Sequence, residues 1–408
     1  MILLENIKDK KLTGNALKNY RRKKKILSLL YENDTLSATY LSKQIGVSLP
    51  TAISLLKDLG GSKLVEVRGS GESKGGRRPT LFGLKRDSIF VISCELGRFK
   101  GKIGVYNSHN ELVAPVTVVG TSIDDVNLVD KLYAEARQIL VDNDIDYNRV
   151  FAVGMAMPGL VDSINGINFT IKEEAFRNVA ERLTMRFGKM VYVNNDARME
   201  AYGEFVFGAA KDHNDAVIIN WNWGLGIGLI LGGKLYNGST GFAGELSHTK
   251  YNEDGDLCIC GKRGCLETVV SASVLIKRAK EAIKEGKISQ LTNRFQHKIE
   301  ELQPEDVIDA AKLGDELAIE LLNDIGQALG KALSNTIQLL NPDIIVIGGI
   351  VSRANQYILT PIQQAINQHC LEQISGNIEI VISDNWEQSG LLGITAKLFQ
   401  KLFSDMYK

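Results

Sequence analysis

Gly241-Phe242-Ala243-Gly244-Glu245-Leu246-Ser247-His248, followed by Cys258-Ile259-Cys260-Gly261-Lys262-Arg263-Gly264-Cys265-Leu266-Glu267, is the stretch from which the rest of the chain is read. Three cysteines at C-x-C-x4-C spacing, with His248 ten residues before the first, offer the four ligands of a tetrahedral zinc site. Thiolates suit a soft ion, and Gly261 and Gly264 let the backbone wrap tightly around it. The plainer alternative is three reduced thiols in a loop near an unrelated histidine; ligand count and spacing favour the metal. His248, Cys258, Cys260 and Cys265 leave no open position, so one Zn2+ per chain would be structural. It would fix the His248 tautomer and aim its other nitrogen. Cys94 and Cys370 stand in apolar surroundings and read as core residues.

Around this segment the body alternates strands and helices. Ile89–Cys94, Gly101–Tyr106, Val150–Met155, Met190–Val193, Ala216–Asn220, Ile227–Leu231 and Ile344–Ile347 read as strands. Val126–Val141 and Glu316–Leu340 read as amphipathic helices. The second of these is either core or a dimer contact. The pattern predicts an α/β body with no exact internal repeat.

The cysteine segment resembles the signature of the ROK family, repressors and sugar kinases that share one actin-like, two-lobed fold. The resemblance runs from Ile89 to about Phe399. Gly154-Met155-Ala156-Met157-Pro158-Gly159 is similar to the family's turn against bound sugar, Asn195-Asp196-Ala197 to its active-site corner, and Gly348-Gly349 to its nucleotide-side turn. The resemblance implies that Pro158, Gly159, Asn195, Asp196, Glu245, His248 and Glu267 line a sugar pocket. Carboxylates and amides there would pair with vicinal hydroxyls. The family's kinases use the residue matching Asp196 as the base; an Asn-Asp pair by itself more often makes a turn.

Phosphoryl transfer also needs phosphate-binding loops. Where the kinases carry Asp-x-Gly-Gly-Thr, this chain has Glu95-Leu96-Gly97-Arg98-Phe99; where they carry Gly-Thr-Gly, it has Gly224-Leu225-Gly226. Both changes argue against ATP as a ligand and leave Asp196 a vestigial base with no catalytic residue beside it. On the sugar side, Ile167-Asn168-Phe169, Arg177 and Ser247 depart from the usual residues, which points to an altered ligand preference, a charged or phosphorylated sugar, or to an empty pocket.

The head differs from the body in charge. Residues 1–86 hold 18 Lys and Arg against 7 Asp and Glu, a surplus of 11, and the remainder carries the opposite surplus, so the whole chain is neutral. A basic head on an acidic body suits a polyanion at one end only. Residues 1–16 read as a polar arm. A helix over 17–31 ends at Asn33-Asp34, Ser37 caps Ala38–Gln44, Gly46 turns, and Ser48 caps Leu49–Leu59. Leu41, Ile45, Val47, Ile53 and Leu56 are expected to face inward, in helix-turn-helix phase. Ser48, Thr51, Ser54 and Lys57 are then expected toward DNA.

Leu64–Val67 and Leu81–Leu84 read as wing strands around Lys74-Gly75-Gly76-Arg77-Arg78-Pro79. Arg77 and Arg78 on their glycine stem can enter a narrow minor groove, or the loop is a plain charged linker. The expected fold is therefore α/β: an N-terminal winged helix-turn-helix (17–86) followed by a two-lobed actin-like ATPase, sugar kinase-like fold (87–408).

Hydrophobic residues at 44% and charged residues at 24% are ordinary for a soluble globular protein. No leader and no membrane-spanning run are read from the sequence, which points to the cytoplasm. The expected function is a sugar-responsive repressor of carbohydrate-metabolism genes. Its expected partners are double-stranded DNA, a sugar or sugar phosphate effector, and further copies of itself in a homodimer or homotetramer. The alternatives are a ROK sugar kinase with an appended DNA-binding domain, and a regulator that answers to a protein partner docked on the body.

Overall fold

The computed structural model describes residues 13–72 and 78–403. Arg77 and most of the expected N-terminal arm lie outside them. The head begins with α1 (Gly14–Asn33), whose last turn stops where Asp34 takes φ 58°. After it come β1 (Thr35–Ser37), α2 (Ala38–Gln44) and α3 (Leu49–Gly61). The Ser37 side chain accepts from the Tyr40 N–H at 3.2 Å and starts α2. Ser37→Ala should cost about 1 kcal/mol of stability, read as a lowered urea midpoint with unchanged slope.

Strands β2 (Val65–Ser70) and β3 (Thr80–Leu84) form the wing, and β1 joins them in the order β1-β3-β2. The short β1 carries no alternating pattern and was not legible in the sequence. One inward residue is corrected. Leu41 and Leu56 are buried, Ile45 and Val47 are half-buried, and Ile53 is 37% exposed. Helix α3 buries Ala52, Leu55, Leu56 and Leu59 instead. That i, i+3, i+4, i+7 row leaves Ile53 on the flank facing away.

The body holds two five-stranded sheets. The first uses β4 (Phe90–Leu96), β5 (Lys100–Asn107), β6 (Thr117–Gly120), β7 (Val150–Met157) and, beyond the short pair β8 (Val161–Asp162) and β9 (Ile167–Asn168), β10 (Met190–Asn195). Its order is β10-β7-β4-β5-β6, with β4, β5 and β6 antiparallel and β7 parallel to β4. Helices α4 (Leu128–Asp142) and α5 (Val179–Phe187) contribute Leu132, Ala136, Leu140 and Leu183 to its core.

After α6 (Asp196–Phe207) the same plan returns. Strands β11 (Ala216–Trp221), β12 (Leu225–Leu231) and β13 (Lys234–Leu235) run antiparallel. Helices α7 (Glu267–Val270), α8 (Ala272–Lys284), α9 (Gln290–Phe295), α10 (Pro304–Lys312) and α11 (Glu316–Leu340) lead to β14 (Ile344–Gly348). Helices α12 (Gln356–His369) and α13 (Glu372–Ser375) precede β15 (Glu379–Ile382), and α14 (Trp386–Phe403) ends the described chain. The order β13-β12-β11-β14-β15, with β14 parallel to both neighbours, repeats the first sheet's topology. Sequence reading found no repeat because a sheet's order is carried by backbone pairing, which many side-chain sets satisfy.

Two compact units result: the described residues up to Asn194 with those from Ile394, and Asn195–Gly393. The first contains the winged helix together with the first sheet. Within the second, Leu317, Leu321, Leu322, Ile325, Leu329 and Leu333 of α11 all enter the core, with Pro361 and Ile362 of α12 closing over its glycines. Of the two readings of that helix, core holds for these residues. Cys94 is buried as expected, whereas Cys370 is half-buried with its Sγ donating to the Ser334 carbonyl. No helix among the described residues is long and apolar enough to cross a membrane.

Candidate metal centre and sugar-facing residues

In the second unit, a 3-10 turn at Leu246–His248 brings the imidazole to the cysteine loop. The loop closes on itself: the Cys258 N–H donates to Lys262 O at 2.8 Å and the Gly261 N–H to Cys258 O at 2.9 Å. Gly264 takes φ +73°, and a Cβ there would lie 1.7 Å from Asn252 O, so no other residue fits that wrap. As a result His248, Cys258, Cys260 and Cys265 present ligand atoms that all lie within 4.8 Å of one another. Cys258 Sγ is 3.6 Å from His248 Nδ1, and Cys260 Sγ is 3.6 Å from Cys265 Sγ. A tetrahedral ion with metal–sulfur bonds of about 2.3 Å sets sulfur–sulfur edges of about 3.8 Å. These four residues can hold a metal ion.

Nδ1 is the nitrogen on the sulfur side, which leaves Nε2 for the opposite direction. Glu267 stands beside the cluster, its Oε2 3.9 Å from His248 Nδ1 and 3.6 Å from Cys258 Sγ. Its other oxygen faces the Gly224 turn, where a Cβ would meet it at 2.6 Å. Glu245 pairs with Arg198 at 3.6 Å. Partial desolvation pushes the Glu245 carboxyl above its ordinary range, against the opposing pull of Arg198 and His248. Arg198 is 2% exposed, and its Nε also donates to Ala243 O at 3.4 Å. Sequence reading missed it; a buried arginine one turn into a helix gives no local signal.

Asn195 caps α6, its Oδ1 accepting from the Arg198 N–H at 3.2 Å, and Asp196 Oδ1 accepts from the Ala197 N–H at 2.9 Å. The pair thus starts a helix, where its composition alone suggested a turn, with both residues half-buried.

Pro158 and Gly159 belong to the first unit. Gly159 takes φ +104°, and a Cβ on it would meet Thr170 Oγ1 at 2.6 Å. Asn168, fully buried, donates to Pro158 O at 3.0 Å and accepts from the Thr170 N–H at 2.9 Å. Thr170 Oγ1 in turn accepts from the Leu160 N–H. Asn168 and Thr170 therefore brace this turn, a role the sequence did not disclose because they are about ten residues away along the chain. Arg177 Nε donates to Ile171 O at 2.9 Å.

In the turn between β4 and β5, Arg98 stacks over the Phe99 ring at 5.1 Å, and Phe99 remains 62% exposed. In Gly224-Leu225-Gly226, Leu225 is buried in the core of the second sheet.

On α3, Ser54 and Lys57 are exposed as expected. Ser48 and Thr51 are tied to each other, Oγ to Oγ1 at 2.8 Å, with Thr51 half-buried. Capping the helix occupies them, since a β-region serine at that position satisfies the open N–H groups of the first turn. Arg78 is exposed at the wing.

Residues 91–401 match the model of the ROK family. The chain is 27% identical to a xylose repressor of Caldicellulosiruptor bescii, across 93% of this chain and 95% of that one. It is 29% identical to a glucokinase of Thermotoga maritima, across 76% of this chain and 98% of the kinase. Among solved structures it is similar to a ROK family transcriptional regulator described as a homolog of the E. coli MLC protein. That similarity has a TM-score of 0.79 at 27% identity, over 95% of this chain and 98% of that one.

Proposed function

Because the chain belongs to the ROK family, we propose that it is a sugar-responsive transcriptional repressor. In this reading the winged helix binds operator DNA and a sugar or sugar phosphate held by the body releases it. The observation that carries the reading is coverage. The glucokinase is spanned almost end to end by three quarters of this chain, whereas the xylose repressor matches nearly its whole length. The extra share of this chain that the repressor matches is about the size of the basic head.

Ser54 and Lys57 of α3 would enter the major groove, with Ser48 and Thr51 positioning its first turn, and Arg77 and Arg78 would reach the minor groove from the wing. Zinc fits the set of one histidine and three cysteines best, since soft thiolates and a closed tetrahedral arrangement suit it and leave no site for catalysis. It would orient His248 toward a ligand shared with Glu245, Glu267, Asn195 and Asp196; Pro158 and Gly159, in the first unit, are the remaining residues that the family resemblance assigns to sugar. The chain would act in the cytoplasm as a symmetric homodimer or homotetramer, since paired heads read paired half-sites.

The decisive experiment is a screen of sugars and sugar phosphates for release of the protein from the DNA upstream of its own gene. At least one should lower affinity about tenfold or more. Affinity for that DNA should also fall about 1,000-fold between roughly 50 and 200 mM salt. Replacing Arg77 and Arg78 by Ala should reduce the salt slope by about two. Absence of specific DNA binding would remove the repressor reading. Sustained sugar-dependent ATP turnover would restore the kinase alternative, which Asp196 favours and Arg98, Phe99 and Leu225 oppose.

A further inference from the structure

Helix α3 exposes two large apolar side chains, Leu49 at 41% and Ile53 at 37%. The core does not need them, because Ala52, Leu55, Leu56 and Leu59 already fill the inward face. Leu49, Ile53 and Lys57 are four residues apart, so they form one stripe along the helix. Pro50 and Ser54 form the adjacent stripe, and all five are exposed. Leu49 and Ile53 lie in the half of the helix nearest its N-terminus, where a recognition helix meets base edges. The surrounding segment carries the surplus of 11 positive charges, so a polyanion is the occupant that its electrostatics favours.

Within the major groove, one base-pair group is apolar: the C5-methyl of thymine. Ser54 and Lys57 can exchange hydrogen bonds with base edges or phosphates, but Leu49 and Ile53 can only exclude water. We infer that Leu49 and Ile53 are specificity-determining residues that read thymine methyl groups in the major groove of each half-site. This rests on the DNA-binding reading above and adds the chemical class of base that α3 selects. Each contact exchanges wet methyl surface for apolar contact, worth about fourfold in affinity per methyl buried.

The test uses the full-length protein and a pool of duplexes with a randomised core. Repeated selection on the protein gives a bound sequence, which is then made with thymine and with deoxyuridine, one position at a time. Deoxyuridine keeps the O4 acceptor and loses only the methyl. Wild type should bind the deoxyuridine duplex about fourfold more weakly at one or two positions per half-site. Ile53→Ala and Leu49→Ala should each bind the thymine duplex more weakly and lose the discrimination at one of those positions. Both side chains lie outside the core of the head, so a cooperative melt with a midpoint near that of wild type is expected and identifies folded variants. Equal binding of thymine and deoxyuridine duplexes by wild type overturns the inference, as does a deoxyuridine penalty that survives in both variants; DNA binding would then stand without methyl readout. Selection of no sequence at low salt removes the DNA-binding reading itself, and this inference with it.

Discussion

On the zinc reading proposed above, replacing Cys260 with Ser is expected to lower the metal content from about one zinc per chain to none by elemental analysis. The four ligand atoms are gathered within 4.8 Å by a loop with little apolar packing of its own: Leu257 and Ile259 are exposed on either side of Cys258. Ligand bonds would therefore supply most of what holds the loop, and binding free energy of a structural zinc is folding free energy. A thermal midpoint lowered by on the order of 10 °C follows for the variant. The same variant should lose its sugar response, because His248 Nδ1 no longer has a fixed partner and Nε2 is no longer aimed. Cys370→Ser is the control, since its thiol donates to the Ser334 carbonyl and packs at the edge of the core, away from the four candidate ligands. It should retain the metal. A metal-free wild type that is stable, or a Cys260→Ser protein that still binds one zinc, would refute the centre.

Tyr31→Ala is expected to uncouple the head from the body while sparing DNA binding. Tyr31 closes α1, and its ring packs 5.2 Å from Phe399 and 5.6 Å from Phe403 of α14. Its hydroxyl donates to Asn110 Oδ1 at 2.6 Å, in the turn that follows β5. The same turn is tied to the wing: Arg68 donates to His109 Nε2 at 3.0 Å, and Ser108 Oγ to the carbonyls of Lys85 and Arg86, both at 3.1 Å. α14 is also anchored to the first sheet, where Thr395 and Ser93 share a buried hydrogen bond of 2.7 Å. These contacts, the approach of His109 to Asp34 at 3.8 Å and the backbone after Leu84 are routes by which a change in the body would pass to the head.

Losing the half-buried ring should cost about 2–3 kcal/mol of stability, by truncation and by loss of the aromatic cluster. Operator affinity should stay within about threefold, while the sugar-induced drop in affinity falls from about tenfold or more to nearly none. Tyr31→Phe keeps the ring contacts and should retain most of the response. Full sugar response in Tyr31→Ala would show that coupling bypasses α1.

The legible parts of this protein are those in which chemistry is local. Ser37 and Ser48 start helices because a serine side chain satisfies an open N–H three residues on, and both do so here. The limits of α2 and α11 follow from caps and periodicity alone. The candidate metal ligands could be picked out because three of the four sit within eight residues, on a loop whose glycines allow a tight wrap. Ile53 was misplaced because a four-residue apolar spacing allows two neighbouring phases; only packing against α1 and α2 selects the row Ala52, Leu55, Leu56, Leu59.

The histidine–cysteine centre from which the chain was first read divides the same way. By itself the sequence determined the ligand types, their spacing and the glycines at 261 and 264, because a metal ion needs donors and a loop able to bend around it. Only the tertiary structure decided that Glu267 and the His248 imidazole both stand against Cys258. Only it showed that a buried arginine pairs with Glu245, and that Asn168 and Thr170 hold the turn at Gly159. It also decided that two sheets with no visible repeat share one strand order. These relations join residues that no local spacing links, and distance in space is set by the packing of whole elements, which no short run of residues encodes.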